Sequence, residues 1–374
     1  MCSANTEGPA VAKRPGADYP AGMVEQRVRA RAPLRLGFGG GGTDVSPYWD
    51  THGGAVLNAT IDLFAHVTVE ARNDGRVGLV AADRDMAWEG AAAVPLAAPP
   101  ELRLLAGVYA RCMRDFADGE ALPLTLTSYA DCPPGSGLGS SSGLVVAMVE
   151  AMRRFLGVEM DPDAVARLAF SIEREDLGLA GGRQDQWTAA FGGLNLMRFE
   201  TDGRVGVERV RADPHVLREL ESSLVLYFTG VSRESAAIVD EQQANMRSGS
   251  ARSFEGLHAL KAGAFDMREA LLAGDIARLG ALLDAGWLSK KLTAHNISSA
   301  KIDEVYEAAK AFGVLGGKVS GAGGGGFMMF LVEPTRREGL KRLLTGFGGI
   351  AQGCRLEERG AESWVVPTNP EPGV

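Results

Sequence analysis

Cysteine and histidine are scarce in this 374-residue chain: four cysteines (Cys2, Cys112, Cys132, Cys354) and five histidines, all scattered. No C-x-x-C pair occurs, so the spacing offers neither a zinc site nor a disulfide framework, and a reducing, cytoplasmic setting is expected. Long apolar runs are also missing; none approaches the ~20 residues that a membrane span needs. Residues 1–25 carry Pro, Gly, Ala and mixed charge without an apolar h-region, which speaks against a secretory signal and reads as a flexible extension. A net charge of −8 argues against nucleic acid and anionic membrane as partners. It leaves room for a phosphorylated small molecule, because local basic residues decide that. The length suggests two packed domains rather than one core.

What the chain has in quantity is glycine, 49 residues of it, much of it in three loops. Residues 133–143 read Pro-Pro-Gly-Ser-Gly-Leu-Gly-Ser-Ser-Ser-Gly. Glycines here let the backbone approach a ligand closely. Leu144, Val145, Met148, Val149, Met152, Phe155 and Leu156 follow at helical spacing, with Gly157 where a C′ residue belongs. A glycine-serine loop thus feeds a helix N-terminus, whose free N–H groups and positive dipole end suit a phosphate. The loop is no Walker A sequence, since no Gly-Lys-Ser/Thr follows it. A glycine-rich turn merely capped by serine is the bland alternative.

The other two loops are Gly37-Phe-Gly-Gly-Gly-Gly-Thr-Asp44 and Ser320-Gly-Ala-Gly-Gly-Gly-Gly-Phe327, both formal matches to G-x-G-x-x-G. A dinucleotide fold needs strand, loop, helix and a second parallel strand. The strand before Gly37 is plausible, but Pro47 and Gly53-Gly54 interrupt any helix after it. Residues 57–69 then alternate apolar and polar, the pattern of a long half-exposed antiparallel strand. Further strands are expected at 193–200, 205–210 and 223–229. Helices are expected from Asp161-Pro162, from about Ser253, and over 299–312. A domain boundary falls in 200–222, where Asp202-Gly203 and Asp213-Pro214 supply breakers.

Three glycine loops in this order resemble those of the GHMP kinases (galacto-, homoserine, mevalonate and phosphomevalonate kinases). The likeness is carried by Ala32-Pro33-Leu34-Arg35-Leu36-Gly37 through Thr43-Asp44, by Pro133 through Ser142, and by Lys318 through Gly325. It is finer to one branch, the kinases of D-glycero-D-manno-heptose 7-phosphate, and spans nearly all of residues 27–366. The resemblance implies an α+β fold of two domains: a ribosomal-S5-like α/β domain over 26–210 and a ferredoxin-like α+β domain over 211–374. It implies an ATP- and Mg²⁺-dependent phosphotransferase acting on the C1 hydroxyl of a heptose 7-phosphate, and it allows a homodimer. Other sugar kinases of the family, fucokinase- or galactokinase-like, stay open, as does a sensing protein on the same scaffold.

Site residues follow from the same resemblance. Asp185 is the expected base and Arg35 its cationic neighbour, offsetting charge on the transferring phosphoryl group. Ser141 and Glu173 are expected to hold Mg²⁺, with Glu175 the rival register. Pro134, Gly135, Ser136, Gly137, Leu138, Gly139, Ser140, Ser141 and Ser142 would bind ATP. Gly41, Gly42, Thr43, Asp44, Arg183, Gln184, Arg233, Lys290, Gly323 and Gly324 would bind the acceptor, with Arg183, Arg233 and Lys290 the candidates for its phosphate. Read from the residues alone, Asp185 could be a helix N-cap, Glu173 a solvated helix residue, and the basic side chains surface groups.

Overall fold

The computed structural model describes residues 27–231 and 235–367. The expected N-terminal extension and Arg233 lie outside them. Residues 27–209 contribute strands β1 (Arg27–Gly39), β2 (Gly54–Ala71), β3 (Arg76–Ala81), β4 (Met86–Ala91), β5 (Leu124–Ala130), β6 (Leu194–Phe199) and β7 (Val205–Arg209). The second half contributes β8 (Leu224–Phe228), β9 (Gly316–Val319), β10 (Phe327–Leu331), β11 (Ile350–Gln352) and β12 (Glu362–Val366). Two sheets result. The larger runs β12–β1–β2–β5–β3–β4, with β6 on the first half of β2 and β7 beyond it; the smaller runs β11–β8–β10–β9.

β1 and β2 pair antiparallel, with Arg35 opposite Thr60. The chain therefore turns straight back after the first glycine loop, and no parallel βαβ unit of the dinucleotide-binding kind forms there. The alternation in β2 holds from Ala65 to Val69, whose odd-numbered positions are buried. Over Gly54–Ile61 every residue is buried, against the half-exposed strand expected from the pattern. The cause is a second cover: helix Ala251–Leu272 lies against β1 and β2, bringing Ala264 and Met267 into the same core.

Helix Ser140–Phe155 packs on β1 and β2 through Val145, Met148, Val149 and Met152, all fully buried. Gly157 ends it with φ +69°, the left-handed conformation that glycine adopts without a Cβ penalty. Asp161 caps the next helix, Pro162–Phe170, by accepting from Ala164 N–H at 2.8 Å. The helix Ser235–Arg247 is not expected from the sequence pattern. Residues 211–374 divide between the sheets: β8 to β11 form the small one, while β12 pairs with Arg27–Arg31 of β1. A short terminal strand carries no local mark of its distant partner.

Candidate active site

The three glycine loops meet around one cavity of about 480 Å³, lined by Gly41 and Gly42, by Pro134, Gly135, Gly137 and Gly139, and by Gly321 and Ala322. The central loop is held from both sides. Arg35 N–H donates to Leu138 O at 3.0 Å and Phe327 N–H to Ser136 O at 2.8 Å, while Ser320 Oγ donates to Gly137 O at 2.9 Å. Gly137 adopts φ +78°, and a Cβ there would meet Ser320 O at 2.5 Å. The helix that follows opens on the cavity through Ser140, Ser141 and Ser142, and no side chain caps its N-terminus. Free N–H groups and the positive end of the dipole make that opening an anion cradle. Ser136 and Leu138 belong to the loop but are buried beneath it, outside the lining.

Arg35 points inward from β1. Its Nε donates to Asp185 Oδ1 at 2.7 Å and its Nη1 to Gly137 O at 2.5 Å. Asp185 stands in the first turn of helix Gln184–Phe191, 22% exposed, with Arg35 at 7%. An inward arginine is tolerable because both its charge and its donors find partners. The pair thus joins the strand before the first loop to the backbone of the second.

Glu173 is buried at the start of a π-helical turn, Ser171–Asp176. Ser142 Oγ and Gln186 Nε2 each donate to its Oε2 at 2.7 Å, leaving Oε1 toward Ser141 Oγ at 3.1 Å and Arg174 Nη1 at 3.2 Å. Glu175 instead accepts from Ser171 Oγ on the exposed side. One carboxylate oxygen and one hydroxyl beside a phosphate cradle suit Mg²⁺, which takes few protein ligands and completes its shell with phosphate and water. Among the described residues no group of three His, Cys, Asp or Glu side chains could hold a metal alone.

The residues expected to bind acceptor separate into two sets. Gly41, Gly42, Asp44, Gln184 and Lys290 line the cavity. Lys290, 6% exposed, donates from Nζ to Gly41 O at 3.0 Å; burial pulls its pKa down to about 8, against an opposing pull from Asp44. Asp44 is spent on the fold: it accepts from the N–H groups of Arg183 at 3.0 Å and Gln184 at 3.1 Å, from Gln184 Nε2 at 3.2 Å, and from Gly42 N–H at 3.1 Å. It therefore caps the Asp185 helix from a distance.

The second set lies off the cavity. Thr43 is fully buried and ties its hydroxyl to Gly40 O and Ala55 O. Arg183 turns away, its guanidinium 3.9 Å from the Trp49 ring centre and 2.7 Å from Gly203 O. Gly323 and Gly324 pack on Ile297, whose carbonyl accepts Gly324 N–H at 2.8 Å.

Comparison with known proteins places this geometry. The family descriptions "GHMP kinases N terminal domain" and "GHMP kinases C terminal" match residues 103–193 and 267–345. D-glycero-alpha-D-manno-heptose 7-phosphate kinase of Campylobacter jejuni is 39% identical over 91% of this chain and 99% of its own. The chain belongs to the GHMP kinase family. A crystal structure from Bacteroides thetaiotaomicron, described as a D-glycero-D-manno-heptose 1-phosphate kinase, superposes with a TM-score of 0.78 at 39% identity, covering 91% of this chain and all of that one. Lactococcus lactis galactokinase complexed with galactose shares the fold at 18% identity, with a TM-score of 0.72 over 90% of this chain and 94% of its own.

Several residues at this GHMP kinase site escape a reading of the sequence. Gln186 fixes Glu173, Arg174 and Arg103 line the cavity, and Lys318 is buried behind it. Lys318 opens the third glycine motif and Gln186 follows Asp185 directly; their burial was the missing signal. Arg103 carries none, since it opens an ordinary helix, Arg103–Phe116.

Proposed function

We propose that this GHMP kinase transfers the γ-phosphoryl group of ATP to the anomeric C1 hydroxyl of D-glycero-D-manno-heptose 7-phosphate, giving the 1,7-bisphosphate for nucleotide-activated heptose synthesis. The observation that carries the reading is the Arg35–Asp185 pair, 2.7 Å apart, facing an uncapped helix N-terminus across one cavity. ATP lies with its phosphates on Gly135–Ser142. The acceptor hydroxyl sits against Asp185. Its proton passes to the carboxylate as the hydroxyl oxygen bonds to the γ-phosphorus and the β–γ bridging bond breaks, releasing ADP. Phosphoryl transfer depends mainly on alignment and charge neutralisation, which Arg35 and the helix terminus supply. Ser141 and Glu173 would hold Mg²⁺, which would supply charge neutralisation at the phosphates.

The acceptor's own phosphate belongs against Lys290. Gly42 has φ +103°, and a Cβ there would come within 3.0 Å of Lys290 Nζ. The bare Gly41-Gly42 turn therefore leaves room beside the ammonium. No helix among the described residues is long and apolar enough to cross a membrane, and the reading places the enzyme in the cytoplasm.

The two named relatives differ in their acceptor, a heptose 7-phosphate in one and a heptose 1-phosphate in the other. Both acceptors would give the same bisphosphate, so the position phosphorylated must be tested directly. Incubation of the protein with ATP and, separately, heptose 7-phosphate, heptose 1-phosphate, galactose, fucose and mevalonate, read by ADP release and ³¹P NMR, decides it. A new anomeric phosphate from the 7-phosphate alone is expected. Preferred turnover of the 1-phosphate reverses the site of transfer, and equal turnover of galactose, fucose or mevalonate overturns the heptose reading.

A further inference from the structure

Two ammonium groups from the second half of the chain hold the same glycine loop. Lys318 on β9 donates to Gly37 O at 2.8 Å and Phe38 O at 3.3 Å. Lys290, at the end of helix Ile276–Lys291, donates to Gly41 O at 3.0 Å. Both are under 8% exposed. Among the described residues no carboxylate stands within ion-pair distance of either. Burying an ammonium on carbonyl oxygens is costly, because their dipoles only partly replace water and Asp44, the one carboxylate that acts on Lys290, does so from beyond contact. Lys290 faces the cavity and Lys318 does not. Gly37 lies two residues beyond Arg35 on the same strand, and β9 continues into Ser320, whose hydroxyl holds Gly137 O. Lys318 thus ties the strand that carries Arg35 to the segment that braces the phosphate loop.

We propose that Lys318 is a positioning residue for the acceptor: it fixes the Gly37–Phe38 end of β1 and, with Lys290, holds positive charge without a contact ion pair, which a bound phosphate anion completes. This rests on the reading that the acceptor's phosphate lies against Lys290. The charged groups facing the pair are Arg35 and Lys290 toward Lys318, and Arg35 and Asp44 toward Lys290. Burial, then Lys290 and Arg35, brings Lys318 down to about 7; Lys290 lies at about 8. An anion beside them raises both pKa values, so binding draws in protons. Affinity is therefore complete below the free-state values and declines as pH rises through 7 and 8.

The test is calorimetric titration of the full chain with heptose 7-phosphate at pH 8, in two buffers of different ionisation enthalpy. A phosphomonoester loses its second proton near pH ~6, so the ligand is already a dianion and uptake reports the protein. Uptake on the order of one proton is expected. Lys318→Met lowers that uptake and raises KM for the sugar phosphate roughly tenfold, the scale of one lost charged contact, a larger change than in KM for ATP. Lys318→Arg, always protonated, restores the acceptor KM while also lowering the uptake. Binding without proton uptake in the native protein overturns the inference and leaves the acceptor reading standing, as does a Lys318→Met enzyme of native acceptor KM. Failure of the sugar phosphate to bind at all overturns both.

Discussion

Gly139 lies directly against the carboxylate of Asp185: a Cβ at position 139 would stand 3.2 Å from Asp185 Cγ. Gly139 also has φ +76° and immediately precedes helix Ser140–Phe155. The last glycine of the phosphate loop therefore sets two things at once, the start of the helix and the place of the proposed base. Loop and base touch without a hydrogen bond, by the absence of a side chain.

Gly139→Ala should accordingly damage turnover more than nucleotide binding. The left-handed conformation costs a residue with a Cβ about 1–2 kcal/mol, seen as a lower Tm. The new methyl group pushes Asp185 aside by a few tenths of an ångström; since a misplacement of order 1 Å can cost ~10²-fold in rate, a smaller loss in kcat is expected. Steady-state kinetics and calorimetry with ADP separate the effects. Native kcat with weakened ADP binding would place the damage at the phosphates instead.

What the sequence makes legible is local. The helix after Ser140 follows from its apolar spacing, and the end of β2 from its alternation, because each pattern depends on neighbours along the chain. Cover from elsewhere escapes that logic: Gly54–Ile61 is buried on both sides because a helix some two hundred residues later closes over it. In the site, the Arg35–Asp185 pair spans 150 positions and is expected from the family resemblance, not from any local pattern; the Asp44–Gln184 contact, across 140 positions, is not expected at all. Asp44 looks like a ligand group in a glycine loop, yet its partners are helix N–H groups that no spacing announces. Arg183 looks like a phosphate fork, yet Trp49 and Phe170, from two separate elements, receive it.

A divalent cation should be obligatory and should depend on Glu173 rather than Glu175. Ser141→Ala and Glu173→Gln are each expected to move the Mg²⁺ activation curve to higher concentration. Glu175→Gln should leave it in place, since that carboxylate accepts from Ser171 on the exposed side. Activity titrations against Mg²⁺ check this; a shift with Glu175→Gln alone would move the metal to the other register.

Lys290 and Arg183 should part company in kinetics. Lys290→Met removes the ammonium facing the cavity and should raise KM for the sugar phosphate roughly tenfold. Arg183→Ala removes a guanidinium stacked on Trp49 and bonded to Gly203 O, so its loss should appear as a lower Tm with acceptor KM nearly native. Thermal melts beside acceptor kinetics for both variants decide it. A large KM effect from Arg183→Ala would mean that its side chain swings into the cavity when substrate binds.

Asp185 and Arg35 should fail together. Asp185→Asn keeps shape and removes the proton acceptor, and general-base contributions of ~10²–10⁴-fold set the expected loss in kcat. ATP should still bind, because its cradle is made of backbone. Arg35→Met removes the charge next to Asp185 and the donor to Gly137 O, so it should slow turnover as well. Each change disables one 2.7 Å pair, so the double variant should lose less than the product of the two single losses. A full mutant cycle on kcat/KM measures that coupling. Strict multiplication of the two losses would show that the residues act separately, and a near-native kcat for Asp185→Asn would remove the proton acceptor from the proposed mechanism.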